Sequence, residues 1–155
     1  TTYYNKFFFF FNSQFYRIDT SGNIKAFGYS PVPQVQNGIV SQMFTIDGYL
    51  FAVGTTKFFV SKDKGESWAL FSDETGSLYT SLAYHNVGNE LYATYESQIW
   101  RVTLIGNSLT YRELDNDGLQ TNHITSVNKT GKYAFVTTLA GLFYRDTATF
   151  NQPKR

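Results

Sequence analysis

The amino-acid sequence predicts an all-β fold in which one structural unit is repeated four times. An aromatic residue closes a similar strand-like segment in each copy, at Tyr16, Phe59, Trp100 and Phe143, which are spaced 41 to 43 residues apart. Aromatic residues make up 19% of the 155 residues and charged residues only 16%, a balance that favours pleated sheets. A period near forty residues in strand-like sequence is typical of stacked four-stranded blades, so we expect a β-propeller.

Each copy is expected to form one antiparallel blade, with strands A to D from the inside outward. The repeats cover roughly residues 1–37, 38–78, 79–121 and 122–155 of a single domain. In the second copy, Asp47-Gly48 gives a hairpin signal because both positions accept a positive φ. The predicted strands lie at 7–11, 15–19 and 24–29; at 40–46, 49–53, 57–61 and 67–72; at 80–84, 91–95, 99–104 and 109–114; and at 124–127, 133–137 and 142–145.

The first and last copies look incomplete. The first lacks a clear strand A unless residues 1–4 supply it, and the fourth lacks a strand D. A compact four-bladed ring, a piece of a larger ring of about six to eight blades, or a ring completed by two chains would each fit. We favour a piece of a larger ring because both interruptions fall inside a blade. In that setting the phenylalanine run 7–11 is interpreted as a strand B that is buried on both faces.

Composition excludes several classes of function. The net charge of +1 gives no bulk attraction for nucleic acid, and no apolar run is long enough to cross a bilayer. The absence of cysteine excludes a disulfide scaffold and a thiolate metal site. We therefore expect no nucleic-acid partner, no membrane insertion and no cofactor. Low charge with many Tyr, Thr, Ser and Asn residues is similar to secreted bacterial β proteins, which favours an extracytoplasmic location.

The segment 61–68 resembles the Asp-box, the S-x-D-x-G-x-[ST]-W hairpin of BNR-type propellers. The matching residues are Ser61, Asp63, Gly65, Ser67 and Trp68. Asp63 can fold back onto turn amides, Gly65 can supply an unusual φ, and Trp68 can pack beneath the turn. The resemblance implies a structural hairpin that lies away from the usual ligand face.

A second resemblance covers residues 117–145, which are similar to the repeat of two-component regulator propellers. Ala134 stands near the position of that family's strand-B tryptophan, which is a departure. Sialidases, sortilin-type receptors, xyloglucan-degrading enzymes and photosystem II assembly-factor-like proteins share such blades, so the resemblance implies a superfamily and no single activity. The matching residues are Gly118, Leu119, Asn122, Ile124, Ser126, Val127, Thr138, Gly141, Leu142 and Phe143.

No reactive set converges in the sequence, so we expect neither catalytic nor metal-binding residues. A BNR-type sialidase needs three arginines on the substrate carboxylate, yet Arg17 and Arg101 share one repeat position in strand C, which indicates a surface role. Carboxylates at 73/74 and 115/117 could face one mouth as a glycosidase pair, but connecting loops are commonly acidic. His85 and His123 lack a third metal ligand, and residues 115–118 lack the full calcium-loop spacing.

The expected ligand face is built by loops that carry amides and hydroxyls, namely the B–C loops 12–14, 55–57, 96–98 and 138–140 and the D–A loops 31–37, 73–76 and 115–122. The sequence therefore predicts a non-catalytic module that binds carbohydrate or protein. One alternative is a fragment of a BNR-type glycoside hydrolase with catalytic residues on absent blades. Another is a photosystem II assembly-factor-like docking protein, with an arginine patch that includes Arg17 and Arg101. A homodimer or further blades would complete the ring. The candidate ligand-binding residues are Gln14, Lys57, Glu96, Gln98, Asp117, Asn122 and His123.

Overall fold

The structure is a computed structural model that describes residues 2–32, 39–71, 77–119 and 122–154. The chain divides into two compact units, Thr1–Ser81 and Leu82–Arg155. Each unit contains two antiparallel sheets.

Unit 1 begins with sheet 1, in which four strands pair in chain order. The short first strand confirms that the N-terminal residues supply strand A of the first copy. The loop between this sheet and the next falls largely on residues 33–38, so the predicted loop 31–37 lies mostly outside the described residues. The strands are β1 (Thr2–Tyr3), β2 (Lys6–Phe11), β3 (Gln14–Ile18) and β4 (Ile24–Gly28).

Sheet 2 completes unit 1 and also follows chain order. Its first strand has the bounds that the sequence predicts, and Asp47 and Gly48 form the turn with φ of 48° and 76°. A 3₁₀ helix follows at Ser77–Ser81. The strands are β5 (Val40–Ile46), β6 (Tyr49–Gly54), β7 (Phe58–Ser61) and β8 (Ala69–Phe71).

The core of unit 1 forms where the two sheets face each other. Phe8 and Phe15 from sheet 1 are buried with Leu50 and Phe59 from sheet 2. The Trp68 ring meets the Phe15 ring edge to face, with 5.5 Å between centroids. Large apolar side chains at alternate strand positions thus bury one face of each sheet.

Unit 2 opens with sheet 3, whose spatial order also follows the chain. Sheet 4 has only three strands. The strands are β9 (Ala83–Val87), β10 (Glu90–Tyr95), β11 (Gln98–Ile105) and β12 (Ser108–Glu113) in sheet 3, and β13 (Ile124–Thr130), β14 (Tyr133–Thr138) and β15 (Gly141–Asp146) in sheet 4.

The C-terminal segment turns back onto sheet 3 and adds no fourth strand to sheet 4. Asp146 caps a one-turn helix, α1 (Thr147–Phe150), through a bond from the Ala148 amide. Beyond the helix, Pro153 forms an isolated antiparallel bridge with Leu114 at the end of β12. The missing strand D of the fourth copy is therefore a feature of the described structure.

The four repeats share one strand-pairing register. The second strand pairs with the third at the same offset in every sheet, which is the structural counterpart of the sequence period. The paired residues are Phe9 with Tyr16, Ala52 with Phe59, Ala93 with Trp100, and Val136 with Phe143.

Two local predictions were wrong. Strand A of the third copy was expected at 80–84, but Thr80 belongs to the 3₁₀ helix and its hydroxyl donates to the Thr55 carbonyl, so the strand begins later. The run 7–11 was expected to be buried on both faces. Only Phe8 is fully buried, whereas Phe7 is 47% and Phe11 62% exposed, because sheet 2 covers one face of sheet 1 alone.

Candidate functional site

Three loops of unit 2 come together and form what we call the unit 2 rim, residues 96–98, 115–119, 122–123 and 139–140. Residues 96–98 form the β10–β11 turn and the first residue of β11, residues 115–119 and 122–123 belong to the loop between β12 and β13, and residues 139–140 form the β14–β15 turn. Glu96 adopts φ 51°, which turns the chain tightly enough to leave its carbonyl free for the next loop. Three hydrogen bonds join the loops: Asn116 Nδ2 to Ser97 O (3.0 Å), Ile124 N to Glu96 O (2.7 Å) and Leu139 N to His123 O (3.1 Å).

Arg145 from β15 holds the middle of the rim. Its guanidinium Nη1 lies 3.1 Å from Asp115 Oδ2, and its Nη2 donates to the Asp117 carbonyl at 3.0 Å. The other Asp115 oxygen accepts the Asp117 amide at 2.9 Å, a local turn that aspartate commonly supports. Both Asp115 oxygens therefore shape the loop, while the Asp117 carboxylate is exposed.

A cavity of about 240 Å³ opens beside this ion pair. Its deep wall is apolar and consists of hydrocarbon side chains that are each at least nine-tenths buried: Ile99, Leu119, Ala134, Val136 and Phe150. Its mouth carries Phe143 and Arg145 on one side and residues 115–118 on the other. The Tyr144 ring lies on the opposite face of sheet 4, where it packs against Tyr133 with 5.4 Å between centroids. A concave apolar site with a few convergent polar groups is the usual form of a binding pocket.

A wider, polar groove of about 660 Å³ adjoins the cavity. The two share Asp115, Asn116 and Asp117 as a common wall. The C-terminal stretch from Gln152 to Lys154 forms the opposite side of the groove. It is fixed there by a hydrogen bond that the Asp115 amide donates to the Gln152 carbonyl at 2.9 Å. The unit 2 rim thus combines one apolar cavity with one polar groove.

The Glu90 cluster, named for its central residue, fixes the C-terminal segment behind the cavity. The Glu90 carboxylate forms ion pairs with Lys129 and Arg101, and accepts Asn151 Nδ2 at 3.1 Å. Burial raises the pKa of Glu90, but hydrogen bonds from Lys129, Tyr92 and Asn151 outweigh it and leave that pKa below its ordinary value. The carboxylate therefore stays charged, and β10, β13 and the tail of unit 2 are held together.

The structure brings together five of the seven predicted ligand-binding residues. Glu96, Asp117 and His123 are exposed on the unit 2 rim, and Asn122 is half-buried beside them. Gln98 is also half-buried, and its amide lies 3.4 Å from Glu113 Oε1. Their common position follows from the loops that carry them, and a ligand-binding role for any of them stays a prediction.

The other two predicted residues, Gln14 and Lys57, belong to unit 1. Gln14 accepts a bond from the Tyr16 hydroxyl at 2.7 Å, and Lys57 is exposed just before β7. The predicted loop residues 73–76, with the carboxylates at 73 and 74, lie outside the described residues, as do 120 and 121 of the loop 115–122.

The hairpin between β7 and β8 folds around Asp63. Its Oδ1 accepts the Ser61 hydroxyl at 2.8 Å and the Ser67 amide at 2.9 Å, and Gly65 has φ +80°. Burial raises the pKa of Asp63, but the bonds from Ser67 and Ser61 outweigh it and lower that pKa to about 2. These contacts account for the residue pattern locally, and the assignment of the hairpin to the Asp-box class stays a prediction.

The arginines of strand C are engaged in ion pairs. Arg17 Nη1 lies 2.6 Å from Glu66 Oε2 in the same unit, and only 11% of the Arg17 side chain is exposed. Arg101 pairs with Glu90 at 3.1 Å in unit 2. Hydrogen bonds from Arg17 and Lys6 lower the pKa of Glu66 to about 2, so this carboxylate stays charged near neutral pH.

Within the described ranges, no three His, Asp or Glu side chains lie together as a potential metal site. His85 is bonded through Nε2 to the Thr94 hydroxyl at 2.9 Å inside sheet 3, and burial lowers the pKa of its imidazole. Across the same ranges, no helix has the length and apolar character needed to span a membrane.

Sequence reasoning missed Arg145 and Phe150 as members of the site. Arg145 is thirty positions from Asp115, and no local motif joins them. Phe150 follows the last predicted strand, in a stretch without a repeat counterpart. The usable signal was the D–A connection itself, because its acidic residues need a cation from the neighbouring blade.

Comparison with known proteins shows the fold. A catalytically inactive variant of virginiamycin B lyase from Staphylococcus aureus, solved with quinupristin, matches with a TM-score of 0.56 and 14% sequence identity. The match covers 97% of this chain and 55% of the lyase chain, so the present chain spans about half of that structure. No family model matches the sequence, and no curated protein matches it.

The chain is therefore an all-β protein of the β-propeller class, built from four antiparallel sheets of three or four strands. At 14% identity the likeness concerns the fold alone, and it carries no activity with it.

Proposed function

We propose that this chain is a non-catalytic binding module that holds a carbohydrate or protein ligand on the unit 2 rim, outside the cytoplasm. The observation that carries the proposal is the apolar cavity of about 240 Å³ whose mouth is lined by Asp117, Phe143 and Arg145. Such a site has the shape and polarity of a recognition pocket.

The charged groups at the rim support binding over catalysis. Asp115 uses both carboxylate oxygens to hold the loop and Arg145, so it is not free to exchange a proton with a substrate. An acid and base pair would need two carboxylates placed across a cleft. Arg17 and Arg101 are each paired with a glutamate, which disfavours a free arginine patch for docking.

The proposal is tested by screening the purified chain on a glycan array and by pull-down against extracytoplasmic proteins. We expect a ligand whose binding Asn116→Ala and Asp117→Asn both weaken. The matched controls are Asn107→Ala, in the exposed β11–β12 turn, and Asp47→Asn, in the β5–β6 turn of unit 1. The proposal would be contradicted if the two rim variants and their two controls reduced binding equally, or if neither screen found a ligand.

A further inference from the structure

Building on the proposed function, we infer that the ligand of the unit 2 rim is an extended peptide segment of a partner protein, which inserts one aromatic side chain into the cavity. The walls decide between carbohydrate and protein. Ile99, Leu119, Ala134, Val136 and Phe150 offer only carbon to an occupant, and each is at most 7% exposed. A buried sugar hydroxyl would find no partner on them, at a substantial cost in free energy.

The volume of the cavity fits one aromatic side chain. An apolar cavity of about 150 Å³ accepts benzene, and this one measures about 240 Å³. Phe143, which lies on the same face of sheet 4 as Val136, adds a ring surface against which an inserted ring can pack. Single aromatic anchors in such pockets commonly dominate the affinity of protein interfaces.

The adjoining groove suits the main chain on either side of that anchor. It shares Asp115, Asn116 and Asp117 with the cavity, so a peptide main chain that leaves the cavity enters the groove directly. The exposed Gln152 side chain carries both donor and acceptor atoms, which is what a peptide backbone requires.

The net charge of the cavity mouth determines which kind of residue is favoured next to the aromatic anchor of the peptide. Asp115 and Asp117 contribute two carboxylates, and Arg145 contributes one guanidinium that already contacts Asp115. The balance is one negative charge, carried by the exposed Asp117. A basic residue beside the aromatic anchor is therefore favoured, and salt should screen its contribution.

The experiment titrates the whole ¹⁵N-labelled chain with two peptides, acetyl-Arg-Phe-Gly-amide and acetyl-Arg-Ser-Gly-amide, and with methyl glucoside, methyl galactoside and N-acetylglucosamine. We expect the phenylalanine peptide to shift the amide signals of Ile99, Ala134 and Val136 saturably. The serine peptide should bind at least about tenfold more weakly, because it buries no ring.

Three variants test the position of the site. Ala134→Leu fills the cavity and should abolish the difference between the peptides. Phe143→Leu removes the ring at the mouth and should weaken the phenylalanine peptide, because an inserted ring loses its aromatic contact. Asp117→Asn should weaken both arginine peptides about two- to fivefold at low salt and have little effect at high salt. Asp47→Asn in unit 1 serves as the matched control.

The outcomes separate this inference from the proposed function. Binding of a glycoside at the rim without peptide binding overturns the peptide inference and leaves a binding module in place. Equal binding of the two peptides, or binding that folded Ala134→Leu and Phe143→Leu leave unchanged, overturns the inference as well. A blank result with each of these probes also overturns it, whereas the proposed function is decided by the array and pull-down screens and their variants.

Discussion

Gly65 lies directly against the ring of Phe8. A β-carbon built on Gly65 would stand 2.7 Å from Phe8 Cε1 and closer still to Cζ, far inside ordinary contact distance. Gly65 belongs to the β7–β8 turn and Phe8 to β2, so the turn of sheet 2 meets the buried face of sheet 1 without a side chain between them. This close approach gives the turn glycine a packing role in addition to its backbone role.

Gly65→Ala should destabilise unit 1 through both effects. The positive φ costs about 1–2 kcal/mol for an L residue, and the clash with a fully buried ring adds about 1–3 kcal/mol. Gly22→Ala is the matched control, because Gly22 has φ +83° and nothing within 4 Å of its β-carbon position. Urea unfolding of both variants measures the difference. Equal losses of free energy of unfolding would show that the contact with Phe8 contributes nothing.

Glu66 should make the chain sensitive to acid. Hydrogen bonds from Arg17 and Lys6 lower the pKa of Glu66 from 4.5 to about 2 in the folded state. Because the unfolded chain binds the proton more tightly, this stabilisation is present above pH 4.5 and disappears as the pH falls towards 2. Glu66→Gln should therefore flatten the dependence of the free energy of unfolding on pH in that range.

The control for Glu66 is Glu96→Gln, at an exposed turn position. It should leave the slope of stability against pH near that of the unchanged chain. A Glu66→Gln protein that keeps the full acid sensitivity would mean that the ion pairs with Arg17 and Lys6 do not stabilise the fold.

His85 should give a second pH dependence, nearer neutrality. Burial lowers the pKa of its imidazole, so the folded chain holds the neutral form and the unfolded chain binds the proton more readily. Stability should consequently be complete above the ordinary histidine pKa of about 6.5 and fall as the pH drops below it. Chemical denaturation between about pH 5 and 7.5 tests this. His123→Gln, at an exposed residue, should retain the dependence, and His85→Gln should lose it.

The outer face of sheet 1 should govern self-association. Phe7 and Phe11 are exposed on it, and the Phe9 ring stacks on Tyr16 with 5.3 Å between centroids. The double variant Phe7→Thr, Phe11→Thr should raise the monomer fraction in light scattering at high concentration, with a change in stability within about 1 kcal/mol. Phe8→Ala, on the buried face, should instead cost about 3–5 kcal/mol. Association that persists in the double variant would assign it to another surface.

The fold was predictable because its signal is repeated and local. The offset that pairs Phe9 with Tyr16 returns in every sheet, and turn residues such as Asp47 and Gly48 mark the hairpins. Contacts that override local preference were not readable. Thr80 was placed in a strand, yet its bond to the Thr55 carbonyl belongs to tertiary structure.

The candidate site was predictable only as a set of loops. Glu96, Asp117 and His123 could be assigned to one rim, because the B–C and D–A connections of a blade lie at the same end of its strands. The cavity depends on Arg145 meeting Asp115 and on Phe150 returning from the tail. The acidic D–A connection indicates that a cation is needed but does not identify Arg145, and no repeat position marks Phe150.

The bridge between Pro153 and Leu114 also bears on how the protein avoids polymerising. An exposed strand end can template the addition of a foreign strand, which is how ordered fibrils extend. A pyrrolidine ring has no N–H to offer such a newcomer, and the Lys154 ammonium, paired with Glu113 at 2.6 Å, adds a charged group beside it. We therefore expect residues 153 and 154 to disfavour the addition of a foreign strand at this edge.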